Sequence, residues 1–314
     1  TMEEWTKTAE DMMKAGTLFV LLTGGEPLLY PHFRELYQKL RELGMIITIN
    51  TNGTLIDEAW ADFFAENKPR RINITLYGAS NETYERLCHY PGGFDKAVNG
   101  IRLLRERNID VKVNGSLAKA NVDDRMKIIE LGESLDAPVR IDTYMYPSVR
   151  ERNHAYNNQA RLDPEMAAKA RVEILRREMG EEVFAQYRKI RLDEAENTPE
   201  GEAVPGQMAC RAGKSSFVVN WQGEMRSCVV LDKPSIPLRD VEFEKAWELT
   251  KKETESLRIS ARCSSCKLRK VCNTCVAAAI AETGKADGVP EYLCRYTEAT
   301  VRYLKETMEE IVMK

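Results

Sequence analysis

The stretch Leu18-Phe19-Val20-Leu21-Leu22-Thr23-Gly24-Gly25-Glu26-Pro27 carries the first decision about the fold. Five consecutive apolar residues read as a buried strand. Two glycines at its carboxyl end let the backbone approach a ligand closely. Glu26 then offers a carboxylate at the mouth of the sheet. Pro27 has no N–H to give to a ladder and helps to end the strand. A strand running into a Gly-Gly turn is common and, taken alone, specifies no chemistry.

Outward from this stretch the same unit recurs. Apolar runs at residues 45–49, 72–76, 111–113 and 139–144 read as further buried parallel strands. Between them, residues 33–43, 57–66, 94–107 and 123–135 carry apolar side chains three and four apart, the spacing of amphipathic helices. Strand and helix in alternation imply a parallel sheet, open or closed into a barrel, with any ligand beyond the carboxyl ends of the strands. Thr1 and Glu4 have the spacing of a capping box, so the first residues are expected to start a helix.

The rhythm changes after residue 147. Leu162-Asp163-Pro164-Glu165 opens a long charged helix, with Asp163 as N-cap and Pro164 in the first turn. Residues 194–206, rich in Glu, Pro and Gly, read as a linker. A terminal helix is expected over 297–313, with apolar residues at Val301, Leu304, Met308, Ile311 and Val312. The chain is thus expected to divide into a strand–helix domain at 1–147, a helical connector at 148–208 and a cysteine-rich domain at 209–314.

Seven of the eight cysteines fall in that last domain: Cys210, Cys228, Cys263, Cys266, Cys272, Cys275 and Cys294. Cys228 closes an expected hairpin over 217–228, with Gly223 at its turn, and Cys210 lies just before it. The next four form C-x2-C-x5-C-x2-C, and Cys294 precedes the terminal helix. Thiols this close are metal ligands or disulfides. The first fifteen residues are charged and amphipathic, unlike a secretory signal, and no run of about 18 apolar residues suggests a membrane span. A cytoplasmic location follows as an expectation, and there clustered cysteines bind metal or react. With 46 basic and 49 acidic residues interspersed, net charge −3, no nucleic-acid or membrane-surface partner is expected. Structural zinc takes four ligands per ion, so seven thiols fit two zinc sites poorly. They fit a four-cysteine and a three-cysteine iron–sulfur cluster better, but spacing alone leaves zinc and iron–sulfur both open.

Joined to the cysteine spacing, the Gly24-Gly25-Glu26-Pro27 turn changes the odds. The chain resembles, over nearly its whole length, the radical S-adenosylmethionine (SAM) enzymes that carry a SPASM domain. The resemblance implies a partial (β/α)6 TIM-like barrel, here lacking its first strand. A helical connector and a small cysteine-rich α+β SPASM domain follow. It implies that Gly24, Gly25, Glu26 and Pro27 meet the amino group of SAM. Asn50-Thr51-Asn52-Gly53 looks like the next strand end, with Asn52 toward the cofactor, and Thr75 opens a segment that looks like the strand-four region. Many relatives have Asp where this chain has Tyr77. Asn114 and Ser116 are candidates for the ribose of SAM. Tyr144, with Tyr146 and Tyr156, is a candidate for an adenine or peptide pocket, core packing being the plainer role. Cys88 beside His89 reads as packing, and Lys267, Arg269 and Lys270 as residues that offset cluster charge or stay solvated. No catalytic side chain is singled out.

The same resemblance implies two auxiliary 4Fe–4S clusters. One takes Cys263, Cys266, Cys272 and Cys294. The other takes Cys210, Cys228 and Cys275, leaving an iron for a substrate thiolate, water or a remote side chain. Cys275 comes one residue early against the family signature. The C-x3-C-x2-C loop that holds the family's active cluster occurs nowhere in the sequence. The third cluster is therefore expected on a missing N-terminal segment, and the chain as given is expected not to make the 5'-deoxyadenosyl radical. The implied activity is hydrogen abstraction from a peptide or protein, with thioether or carbon–carbon crosslinking in a ribosomal peptide. An electron donor such as flavodoxin or ferredoxin is the implied partner. Two alternatives stand beside it. An anaerobic sulfatase-maturase-like enzyme is disfavoured because Ser227-Cys228-Val229 has no acid beside the cysteine, and the other is a non-catalytic, cluster-bearing peptide-binding protein. Glu26→Gln, being isosteric, is expected to spare folding.

Overall fold

The structure, a computed structural model, describes residues 1–147, 160–208 and 210–312, so that Tyr156 lies outside the described residues. They form two compact units, Thr1–Asp142 and Thr143–Lys314.

The first unit runs α1 (Met2–Lys14), β1 (Phe19–Leu22), α2 (Phe33–Glu42), β2 (Ile46–Thr51), α3 (Glu58–Glu66), β3 (Arg71–Leu76), α4 (Asn81–Cys88), α5 (Gly93–Glu106), β4 (Val111–Ser116), α6 (Arg125–Ser134) and β5 (Val139–Asp142). The Thr1–Glu4 capping box forms as the sequence predicts. Five parallel strands lie in chain order, β1-β2-β3-β4-β5.

The strands are not buried on both faces, as continuous apolar runs would suggest. One face presents Ile47, Ile49, Ile72, Ile74, Leu76, Val111, Val113 and Ile141, all buried. Each such side chain contributes about 1.5–3 kcal/mol by leaving water. The other face carries Thr48, Asn50, Asn73, Thr75, Lys112 and Asn114, only half-buried. Polar side chains on an inner face are what a partial barrel with a wet interior requires. At the edge, β1 pairs only with β2 among the described strands. Leu18, Phe19 and Leu21 are each more than half exposed there. The sequence reading expected them to be buried; burial of a strand needs a neighbour on each side, and apolar content cannot supply one.

The second unit contains α7 (Pro164–Asn197), β6 (Gly206–Gln207), β7 (Val218–Val219), β8 (Glu224–Arg226), β9 (Ile236–Pro237), α8 (Phe243–Ser256), β10 (Arg258–Ile259), α9 (Ala261–Ser265), α10 (Val276–Thr283) and α11 (Glu291–Val312). Asp163 caps α7 through Met166 N–H, with Pro164 in the first turn. The helix breaks at Gly180, whose φ of 71° and ψ of 164° are not helical. It continues to Asn197, past the point where the linker was expected to begin. Val172, Leu175, Phe184 and Leu192 of α7 pack with Leu304 of α11. The expected hairpin forms from β7 and β8 with Gly223 at φ 77°. The terminal helix starts at Glu291 rather than 297, because the Pro290 carbonyl accepts from Leu293 and Cys294 N–H (2.8 and 3.1 Å). Cys294 therefore sits in the first turn of α11, not before it.

One close approach holds a mouth loop in place. A Cβ on Gly100 of α5 would lie 2.6 Å from the Gly53 carbonyl oxygen, just after β2. Backbone cannot yield as a side-chain tip can. Ala is the better helix former by about 1 kcal/mol, yet Gly100→Ala is expected to cost a net ~1–3 kcal/mol through overpacking. Urea unfolding should show it as a lowered midpoint at unchanged slope; an equal or higher midpoint would mean the loop is free to move.

Candidate functional site

The turn after β1 and the carboxyl end of β2 meet at the Glu26 carboxylate. Oε1 accepts from Leu28 N–H (3.1 Å) and from the Thr51 hydroxyl (2.7 Å). Oε2 accepts from Asn52 N–H (2.8 Å). The loop after β1 is thereby tied to the end of β2. A carboxylate offers about four acceptor sites, so three are used and one remains on Oε2. Pro27 is buried and starts a short 3-10 turn, Pro27–Leu29. Gly24 and Gly25 have nothing within 4 Å of the place a Cβ would take. Neither packing nor a positive φ requires glycine there, so the bare backbone is left for something outside the described residues to approach.

Asn52 uses its side-chain oxygen locally, accepting from Thr54 N–H and hydroxyl (2.9 and 2.7 Å), and the amide nitrogen remains. Gly53 must be glycine: φ is 74°, and a Cβ would meet Ile74 Cγ2 at 2.8 Å. On the polar face, Asn73 Nδ2 donates to Asn50 Oδ1 at 2.8 Å. Thr75 pairs in register with Asn114, and Ser116 with Asp142. The side chains of Thr75, Asn114 and Ser116 make no hydrogen bond among the described residues. The structure thus brings the sequence-predicted residues 24–27, 52, 75, 114 and 116 to one sheet and its carboxyl end.

Two residues that the sequence reading missed organise the far side of this mouth. Asn121, 1% exposed, donates from Nδ2 to the Tyr77 and Ser116 carbonyls (both 3.0 Å) and accepts from Ala118 N–H (2.7 Å). Asp124 accepts from Ala79 N–H (3.0 Å) and the Thr83 hydroxyl (2.7 Å). In sequence, Asn121 and Asp124 look like an ordinary helix start. Most of their partners lie 41 to 45 residues away, which no local pattern reveals. Tyr77 packs edge-on against buried Tyr84, whose hydroxyl accepts from Tyr77 N–H.

Tyr144 belongs to the second unit. Its hydroxyl donates to Glu282 Oε1 at 2.8 Å, and its ring lies beside the Arg161 guanidinium and Tyr292. Burial, then the neighbouring Glu282 carboxylate, push its phenol well above the usual tyrosine range. Arg161 and Glu282 form a buried ion pair, with Arg161 3.5 Å over the Tyr292 ring. The hydroxyl of Tyr144 is therefore committed within its own unit, and only its ring and backbone stay open to other roles.

All seven C-terminal cysteines are free thiols, as is partly buried Cys88. Six of them sort into two neighbourhoods. Burial pushes the Cys294 thiol up to about 11, with nearby Cys272 and Cys263 adding to the rise. Burial also raises Cys263, with Cys272 and Cys266 contributing. Cys228 and Cys275 instead pack against the apolar cluster of Met208, Leu231, Val276 and Ala277. Cys210 is exposed. Backbone N–H groups already point at three sulfurs: Val230 at Cys228, Leu268 at Cys266 and Ala278 at Cys275, each 3.4 Å. Cys275 is the N-cap of α10. Clustered thiols with aimed N–H groups fit an iron–sulfur ligand set. Among the described residues, no three Cys, His, Asp or Glu side chains yet converge as a metal cage.

Residues 1–132 match the family model of the Radical SAM superfamily. An AdoMet-dependent heme synthase of Methanosarcina barkeri is 24% identical over 297 residues, 90% of this chain and 84% of that protein. A PqqA peptide cyclase of Rhodopseudomonas palustris is 26% identical over 165 residues, 52% of this chain and 43% of that protein. Among solved structures, anSMEcpe with bound AdoMet and Kp18Cys peptide superposes with a TM-score of 0.68 at 18% identity. It covers 98% of this chain and 90% of its own. Streptococcus suis SuiB gives 0.68 at 17% identity, covering 93% and 70%. The glycine-lined strand mouth lies within the residues that match the Radical SAM superfamily model, the cysteine-rich unit follows in sequence, and the chain has the fold of the radical SAM enzymes that carry a SPASM domain.

Proposed function

We propose that this protein is a radical SAM enzyme that modifies a peptide or protein, with two auxiliary 4Fe–4S clusters in its C-terminal unit. One observation carries the reading. A bare Gly24-Gly25 backbone backed by a carboxylate occurs in the same chain as seven free thiols, six of them in two neighbourhoods. When bound, SAM and the family's active cluster supply a 5'-deoxyadenosyl radical that takes hydrogen from an unactivated carbon. The three cysteines for that cluster are not among these 314 residues, so we infer that radical formation needs ligands from beyond them.

The chain's own residues have separable tasks. Gly24 and Gly25 let the backbone meet the ligand, and the remaining acceptor site on Glu26 takes its ammonium. Thr75, Asn114 and Ser116, unspent among the described residues, would hydrogen-bond the ribose. Cys263, Cys266, Cys272 and Cys294 would hold one auxiliary cluster. Cys210, Cys228 and Cys275 would hold the other, with one iron left for a substrate thiolate or water. An acidic electron-transfer protein of the flavodoxin or ferredoxin type and a cytoplasmic location complete the proposal. Peptide chemistry is supported by the likeness to a PqqA peptide cyclase and to structures solved with peptides. A second reading, a tetrapyrrole substrate, is favoured by the heme synthase likeness, which spans 90% of the chain.

Anaerobic reconstitution should load about seven to eight irons per chain with matching sulfide and give broad thiolate-to-iron absorption. Two zincs without sulfide would sink the cluster assignment.

The geometry of Glu26 corrects the expectation that Gln would be silent for folding. An amide in place of Oε2 points N–H at the Asn52 N–H, so Glu26→Gln should cost about 1–3 kcal/mol of stability. It should also weaken SAM binding by about tenfold or more in the cluster-loaded protein. Thr51→Val removes a donor to the same carboxylate and should lower stability while leaving SAM affinity within about twofold. Calorimetric titration separates them; equal SAM affinity in all three proteins would reduce Glu26 to a strand tie.

Substrate class can be read by absorption. Titration with Fe-coproporphyrin III should give no saturable shift of the porphyrin band. A saturable shift that survives excess unrelated peptide would overturn the peptide reading in favour of the tetrapyrrole one.

A further inference from the structure

The second unit holds a cleft of about 150 Å³ between the two halves of α7, the cysteine loop and α11. Its polar lining includes Arg171, Tyr187, Arg191 and Asn273, and Val301 and Leu304 form an apolar floor. No acidic residue lines it. Arg191 donates to Glu194 (2.6 Å) and to the Lys270 carbonyl (3.2 Å), so its charge is answered from outside the cleft. Arg171 is half-buried and makes no hydrogen bond or ion pair among the described residues. The Tyr187 hydroxyl and the Asn273 side chain are likewise unspent among those residues.

A half-buried guanidinium is normally answered by a carboxylate, because desolvating a cation without a partner is costly. Here Arg171 shares the lining with two neutral side chains, Tyr187 and Asn273, and with a second arginine. Guanidinium N–H pairs match the oxygen spacing of carboxylates and phosphates. Hydrophobic side chains beneath would shelter such contacts from water and strengthen them. We propose that this cleft binds an oxyanion, a carboxylate or a phosphate group, clamped by Arg171 with Arg191 and supported by Tyr187 and Asn273. Asn273 and Val271 flank Cys272, so the bound anion braces the loop that carries that thiol. The proposal goes beyond the radical enzyme reading and does not depend on it.

The test uses the full chain and two probes, inorganic phosphate and N-acetylglutamate amide, titrated calorimetrically at low ionic strength. At least one should bind saturably; phosphate alone marks a phosphate site, the glutamate derivative alone a carboxylate site. Arg171→Gln should weaken that binding about tenfold or more, the loss of one charge-assisted pair. Arg171→Lys, which keeps the charge but not the fork, should fall between. Lys169→Gln removes the same charge from an exposed position on the same helix and should change binding less than twofold. Absence of saturable binding of both probes overturns the proposal. So does an Arg171→Gln affinity equal to the native one, or an equal loss in Lys169→Gln, which would reveal diffuse attraction rather than a clamp.

Discussion

The carboxylate of Glu26 is the tie on which the mouth of the first unit depends. A parallel sheet ends in loops whose backbone donors have lost their ladder partners, and buried donors must find others. Two such donors, the N–H groups of Leu28 and Asn52, are met together with the Thr51 hydroxyl by one side chain, which reaches across 25 and 26 residues of sequence to Thr51 and Asn52. The consequences propagate by contact. Thr51 held in place lets its hydroxyl accept Gly53 N–H. Gly53 at positive φ closes on Ile74, and its carbonyl sets how near α5 can come at Gly100. The residue proposed to meet the ligand is thus also a structural keystone, which is why its two roles need different variants to separate.

The opposite side of the mouth is built by the same logic with different side chains. Asn121 and Asp124 satisfy the carbonyls and N–H groups that β3 and β4 leave behind. Between these two knots lies the row of Thr75, Asn114 and Ser116, whose polar groups are not consumed by the fold. The side chains that knit the loops are engaged by the fold, whereas Thr75, Asn114 and Ser116 are not. The difference marks where a ligand has something to bind.

Much of this was legible in the sequence, and the failures have physical causes. The five strands, four of the helices between them, the Thr1 capping box and the Gly223 hairpin follow from period and turn chemistry, which act locally. The inner polar face was missed because runs such as Ile72 to Leu76 look continuous until Asn73 and Thr75 are placed on the opposite side from Ile74. Exposure of Phe19 and Leu21 was missed because burial depends on what stands beside a strand. The helix α11 starts earlier than the apolar spacing over 297–313 suggests, because Pro290 fixes a first turn that already holds Cys294. Gly24, Gly25 and Glu26 stood out as chemistry without context; Asn121 and Asp124 could not, since their partners meet only after folding.

The sulfur of Cys275 is both a candidate ligand and the cap of α10. Eight residues are too few for a helix to persist by itself, so this one depends on its cap and on the packing of Val276 to Ala279. A metal-bound thiolate keeps its negative charge at the positive end of the helix dipole and keeps accepting the Ala278 N–H. Ligation and helix therefore stabilise each other by linkage. Loss of that ligation would remove the charge from the cap and leave α10 to the neutral thiol and to its packing. With Cys275 ligated as proposed, the resistance of Val276 to Thr283 to a protease would report whether the site is loaded.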